Sequence, residues 1–177
     1  MKYEDILGGG KLWAVKYDGH ERNCFDELFD FWYDMEALRT FFKENLADLS
    51  SYFKITNIDI AIFDTMQDAD YLSCLMLDIK PGANLDNIFR HLENFSYSEM
   101  VLGREKAKGG RINSHPSWLR VYAIRMEPGV YLVTGGAIKL TATMEERKHT
   151  LDELQKIEKV RNQLISDGIF DADALKY

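Results

Sequence analysis

The segment SWLRVYAIRMEPGVYLVTGGAIKL, running from Ser117 to Leu140, constrains the fold more than any other part of the chain. Two runs rich in β-branched and aromatic residues flank Glu127, Pro128 and Gly129. Proline presets φ at the first corner of a turn, and glycine accepts a positive φ at the second. The pattern therefore predicts an antiparallel hairpin, with AIKLT continuing or bending its second strand. On the first strand the two-residue period puts Trp118, Arg120, Tyr122 and Ile124 on one face, and Leu119, Val121, Ala123 and Arg125 on the other. The glycines of VTGG lack the context of a dinucleotide fingerprint and read as a bulge or a close backbone approach.

Around this hairpin the rest of the chain reads as a mixture of one strand and several helices. KLWAVKYD, after a glycine-rich lead, alternates Leu12, Ala14 and Lys16 against Trp13, Val15 and Tyr17, as a strand does. From Asn23 apolar residues recur at three and four, from Phe25 through Trp32 and Phe42 to Leu49, which predicts one long amphipathic helix or two in a hairpin, with Asn23 as N-cap. TNIDIAIFDTMQDADYLSCLMLDI fits both periods; Thr56, with Asp59 three residues on, favours a capped helix. LDNIFRHLENF, with Leu85, Ile88, Phe89, Leu92 and Phe95 in a stripe behind Asn84, predicts another helix. The segment Leu102 to Pro116 has few apolar residues and carries Gly109, Gly110 and Pro116, so it reads as a loop. Thr143 with Glu146 forms a capping box, and Leu151, Leu154, Ile157, Val160, Arg161, Leu164 and Ile165 line a last helix that stops at Gly168. The expected class is α+β: one domain over residues 1–177, a small, mainly antiparallel sheet packed by helices, and an inserted helical layer at about 54–98.

Charge narrows the function. The net charge of −7 opposes a polyanionic partner, yet it is unevenly distributed. Residues 1–100 hold 9 basic and 19 acidic side chains, whereas residues 101–177 hold 13 basic and 10 acidic. Between Arg104 and Lys139 seven basic residues (Arg104, Lys106, Lys108, Arg111, Arg120, Arg125 and Lys139) face only Glu105 and Glu127. A basic patch on an acidic body is the expectation. Cys24 and Cys74 show neither a disulfide framework nor a zinc spacing, which suits a reducing, cytoplasmic setting. No metal site is expected. MKYEDILGGGK lacks the apolar core of a signal peptide, and no apolar run reaches membrane-spanning length, so neither export by that route nor insertion is expected.

Two readings of the basic cluster stay open. In one, a sheet face is solvated and the arginines pair with the acidic helices. In the other, Arg104, Lys106, Lys108 and Arg111 lead into Arg120 and Tyr122 to make a concave phosphate-binding surface with a phenol among cations. Such a surface suits metal-independent RNA cleavage by the substrate's own 2′-OH. Cations stabilise the phosphorane, and Tyr122, its pKa lowered by the cations, assists the hydroxyl. His20, His91, His115 and His149 read as ordinary surface or half-buried residues, and the helix carboxylates Asp26, Glu27, Asp30, Asp34 and Glu36 as solvated. LGGGK lacks the strand and the Ser or Thr of a phosphate loop.

LRVYAIRMEPGVYLVTGGAIKLTATMEER followed by a helix resembles the RelE/HigB/ParE toxin superfamily of toxin–antitoxin modules. There, a strand with Arg and often an R-x-Y pattern leads through a turn to an apolar strand ending in Lys before a helix. The matching positions are Arg120 and Tyr122, Pro128 and Gly129, Val130 to Ile138, and Lys139 with Thr141; KLWAVKYD and the helices after it are similar to the family's opening elements. The resemblance covers about residues 11–50 and 100–165 and implies a RelE-like fold without a cofactor. It also implies a cognate antitoxin as partner, and either endoribonuclease action on ribosome-bound mRNA or, in ParE-like members, gyrase inhibition. Taken together with the basic cluster, this reading expects catalytic roles for Arg120, Tyr122, Lys106 and Lys108 and RNA-binding roles for Arg104, Arg111, Arg125 and Lys139. The extra helical material and the acidity leave open a non-catalytic interaction protein that keeps the fold.

Overall fold

The structure, a computed structural model, describes residues 1–78, 84–92, 102–109, 111–112 and 115–176, with the backbone alone for 111 and 112. In chain order the elements are β1 (Lys2–Asp5), β2 (Leu12–Lys16), α1 (Cys24–Tyr33), α2 (Met35–Glu44), α3 (Leu46–Asp48) and α4 (Ile58–Leu77). They continue with β3 (Phe89–His91), β4 (Gly103–Lys108), β5 (Arg111–Ile112), β6 (His115–Pro116), β7 (Leu119–Glu127), β8 (Val130–Ile138) and α5 (Lys148–Asp167). Six strands form one sheet in the order β1-β2-β8-β7-β4-β3, while β5 and β6 pair separately. Among the described residues only β2 and β8 run parallel within that sheet; its other neighbours are antiparallel. The α+β class and the mainly antiparallel sheet agree with the sequence pattern.

The hairpin forms as its turn residues require. Gly129 takes φ 76°, and β7 pairs with β8 from Glu127↔Val130 to Leu119↔Ile138. A bulge interrupts the ladder where Tyr122 faces Gly135 and Ala123 faces Val133, leaving Thr134 as the extra residue. Both glycines of VTGG are needed for proximity. A Cβ on Gly136 would lie 2.3 Å from Leu28 Cδ2 and 2.5 Å from the Arg120 carbonyl oxygen, and one on Gly135 would lie 2.1 Å from Glu153 Oε2. These neighbours place α1 on one face of β8 and α5 on the other.

The helical region from Asn23 is a hairpin of two helices. Asn23 accepts from the Asp26 amide at 3.0 Å to start α1, and Asp34 both ends α1 and caps α2 through the Glu36 and Ala37 amides. α4 is helical, although its N-cap is Asn57, which accepts from the Asp59 amide at 2.9 Å, rather than Thr56. The core joins Leu12, Trp32, Leu38, Phe42, Leu72, Val121 and Leu132, all fully buried. Trp118 is buried beneath α4, its indole N–H donating to Thr65 Oγ1 at 2.9 Å.

Three expectations are corrected. The glycine-rich lead is preceded by a strand, β1, whose polar KYED gives no apolar alternation. The helix expected from Leu85 is a single 3-10 turn, Leu85–Asn87, behind the Asn84 cap, followed by β3; Phe95 lies outside the described residues. Tertiary pairing overrides the helical stripe there, because Phe89 stacks on Tyr131 with centroids 4.4 Å apart and β3 hydrogen-bonds to β4. The loop expected over Leu102–Pro116 contains β4, which buries Glu105 and Ala107 where a readable strand would show large apolar side chains.

Candidate nucleic-acid interface

β4 and β7 explain how the basic residues gather. Their register sets Lys106 beside Tyr122 and Lys108 beside Arg120, while β3 sets Arg90 beside Lys106. Directly paired residues share a face, so Arg90, Lys106, Lys108, Arg120 and Tyr122 all point to the α5 side. α5 packs on β8 and part of β7 on that side and reaches the start of β4 through the Glu158–Arg104 pair, while Lys106 and Lys108 of β4 stay half-buried and Arg90 of β3 exposed. A hollow of about 510 Å³ results, bordered by these side chains, by Lys139 and the Ala142–Glu145 segment after β8, and by Leu154 of α5.

The cations are held in different ways. Arg120 is half-buried and donates to the Ser117 and Leu119 carbonyls at 2.9 and 2.7 Å. Lys106 donates to the Leu92 carbonyl at 2.9 Å, and Lys139 to the Thr141 carbonyl at 2.8 Å. Arg104 is committed to an ion pair with Glu158 of α5. Arg90 and Lys108 have no ion-pair partner among the described residues. Burial, with Arg120 and Arg90 next in importance, holds the Lys106 and Lys108 ammonium groups below the usual lysine range, and burial and Arg120 do the same to Lys139. Mutual repulsion of this kind disappears when an anion enters.

Tyr122 does not behave as the sequence implies. Its side chain is 1% exposed, and burial raises its pKa far above the usual phenol value despite the opposing pull of Arg120. The hydroxyl is buried without a hydrogen-bond partner among the described residues. It is a neutral phenol, able to donate, rather than a phenolate base.

Other expected site residues are placed elsewhere. Arg125 lies on the opposite sheet face, its Nε 3.5 Å from Asp86, and is not brought into the hollow. The Arg111 side chain lies outside the described residues. Arg90 joins the site although the sequence pattern had hidden it inside an expected helix. His115 is also corrected: it is 7% exposed, stacks on Trp118 at 4.2 Å between centroids, and its Nε2 lies 3.0 Å from Asp64 Oδ2. It belongs to a buried polar cluster that ties α4 to the start of β7, in which Ser117 also donates to Asp68.

A second hollow, of about 500 Å³, opens between α1 and α5 beside Tyr17, Cys24, Gly135 and Glu153. Burial pushes the Cys24 thiol up to about 12 and raises the Glu153 carboxyl, which Lys156 at 2.6 Å partly offsets. This hollow mixes acids with cations, whereas the first is lined by one sign apart from Glu145. Among the described residues no helix is long and apolar enough to cross a membrane. Comparison of the chain with protein-family models, with curated proteins and with solved structures gives no match.

Proposed function

We propose that the chain is a RelE/HigB-like endoribonuclease toxin that binds the RNA backbone in the basic hollow and cleaves it by attack of the 2′-OH. One observation carries this reading: Arg90, Lys106, Lys108, Arg120 and Lys139 converge on a single concavity from β3, β4, β7 and the segment after β8, where burial first and the neighbouring cations second lower the lysine pKa values. The order of elements supports it as well, since an opening strand, a helical hairpin, a strand with Arg120 and Tyr122, an apolar strand and a final helix follow one another as the resemblance implies.

In this reading Lys108 meets the RNA backbone as a cation, and its neutral fraction, enlarged by the burial and neighbouring cations that lower its pKa, accepts the 2′-OH proton as the 2′-oxygen attacks phosphorus. Arg120 stabilises the phosphorane, and the P–O5′ bond breaks, leaving a 2′,3′-cyclic phosphate. Lys106 protonates the departing 5′-oxygen. Tyr122 acts as a neutral donor to a phosphate oxygen, which would satisfy its buried hydroxyl. The partners that go with this reading are a cognate antitoxin and mRNA on the ribosome.

The test is cleavage of end-labelled RNA by the purified chain, with and without ribosomes and in the presence of a chelator. Cleavage that leaves a cyclic phosphate, fails on a 2′-deoxy substrate and drops at least ~10²-fold in Arg120→Ala is expected. Expression should arrest growth, and the same substitution should relieve it. Tyr122→Phe should lower cleavage without lowering thermal stability. A folded wild type that cleaves nothing in either setting overturns the proposal, and selective capture of gyrase would favour the ParE-like alternative.

A further inference from the structure

α4 is apolar on two sides. Its inner side, with Ala61, Ile62, Ala69, Leu72 and Met76, is buried in the core. Its outer side carries Ile60, Phe63, Gln67, Tyr71 and Cys74 at steps of three and four, which lie on one face of a helix. Ile60, Phe63 and Tyr71 are 49%, 59% and 45% exposed. A surface helix ordinarily turns polar residues outward, and here the polar residues stand mainly at the margins of the stripe. The end of α1 adjoins the stripe, where Tyr33, 37% exposed, donates through its hydroxyl to Asp70 at 2.8 Å. Contiguous exposed apolar surface of this kind marks an interaction site.

Charge selects the occupant. α4 contains neither Lys nor Arg; of its four aspartates Asp64 and Asp68 are buried on the inner side, so Asp59 and Asp70 flank the outer stripe, and the segment from Cys24 to Asp78 holds 12 acidic against 3 basic side chains, a net charge of −9. Arg39 is already taken by Asp59 at 2.7 Å. A second copy of this face would set aspartates against aspartates, and RNA would meet the same repulsion. We propose that the outer stripe of α4 docks an amphipathic helix of another protein, with apolar residues at steps of three and four and Lys and Arg on its flanks. This surface shares no residue with the basic hollow and does not depend on the nuclease reading.

The probe is a fluorescein-labelled helical peptide matched in length to the 20 residues of α4, with leucines on one face and lysine flanks; a second peptide has glutamate flanks. Fluorescence anisotropy with the full chain should show saturable binding of the lysine-flanked peptide only. Phe63→Glu should weaken it about tenfold or more and Ile60→Ser by a smaller factor, as for centrally placed anchors. Circular dichroism checks that both exposed-site variants fold, and Lys108→Ala should bind the peptide normally. Equal binding of the two peptides, or indifference to both α4 substitutions in folded protein, overturns the proposal. So does a wild-type dimer in sedimentation that Phe63→Glu dissociates, since the stripe would then be covered by a second copy.

Discussion

On the proposed nuclease reading, Lys108→Ala should change how RNA binding responds to salt, by an amount that follows from the number of cations lining the hollow. Each cation that neutralises a phosphate releases condensed counterions, so log K falls against log salt with a slope of about −0.7 per contact for a single strand. Five cations of the hollow are open to phosphate: Arg90, Lys106, Lys108, Arg120 and Lys139. The wild-type slope should therefore approach about −3.5, a loss of ~10²-fold in affinity between 0.05 and 0.2 M salt. Lys108→Ala should bring it to about −2.8. Arg125→Ala should leave the slope unchanged, because Arg125 stands on the opposite face beside Asp86. Arg104→Ala should change it little, since its guanidinium is engaged by Glu158. The assay is binding of a labelled, uncleavable 2′-deoxy strand at several salt concentrations. A wild-type slope near zero, or Arg125→Ala shifting it as much as Lys108→Ala, refutes the reasoning.

Other outcomes follow from the packing around the site. Gly136→Ala should destabilise the chain by about 2 kcal/mol or more, because the new methyl meets Leu28 and the Arg120 carbonyl at 2.3 and 2.5 Å; a denaturation midpoint within error of wild type would contradict this. Burial raises the Glu153 carboxyl above its unfolded pKa, so the stability it contributes is present below the unfolded value and is lost as pH rises through the folded one. Glu153→Gln should therefore gain in melting temperature over wild type as pH rises from 4 to 8, and a gain that shrinks over that range would reverse the assignment. Asp86 is shifted the other way: burial pushes its carboxyl up, but the Tyr131 hydroxyl, the Gly129 amide, Asn84 and Arg125 together hold it below the usual range. Its contribution is present above the unfolded pKa and is lost as pH falls through the folded one. Asp86→Ala should cost about 2 kcal/mol at neutral pH, since charge-assisted hydrogen bonds to Tyr131 and Gly129 at 2.5 and 3.0 Å are lost from a partly exposed group. Urea titrations at pH 7 and at pH 3 should show that deficit narrowing in acid.

Several of these features were legible in the sequence because they are local. Pro128 and Gly129 specify a turn whatever surrounds them, Asn23 and Gly168 mark helix ends through their own backbone chemistry, and the period of three and four from Phe25 to Leu49 specifies a helical face. The glycines of VTGG announced a tight spot, although not that Leu28 and Glu153 would fill it. Long-range pairing was not legible. β4 hides because the side chains it buries are Glu105 and Ala107, and β3 hides because Phe89 lies in a helical stripe until Tyr131 and β4 claim it. Arg90 was lost to the site for that reason.

By itself, then, the sequence determined the hairpin, the helical hairpin, the last helix and the separation of a basic half from an acidic one, all of which depend on neighbours within a few positions or on summed charge. Tertiary structure decided which cations share a face. It set Lys106 and Lys108 against Tyr122 and Arg120, turned Arg125 away and raised the Tyr122 phenol, because register and burial are properties of strands far apart in sequence.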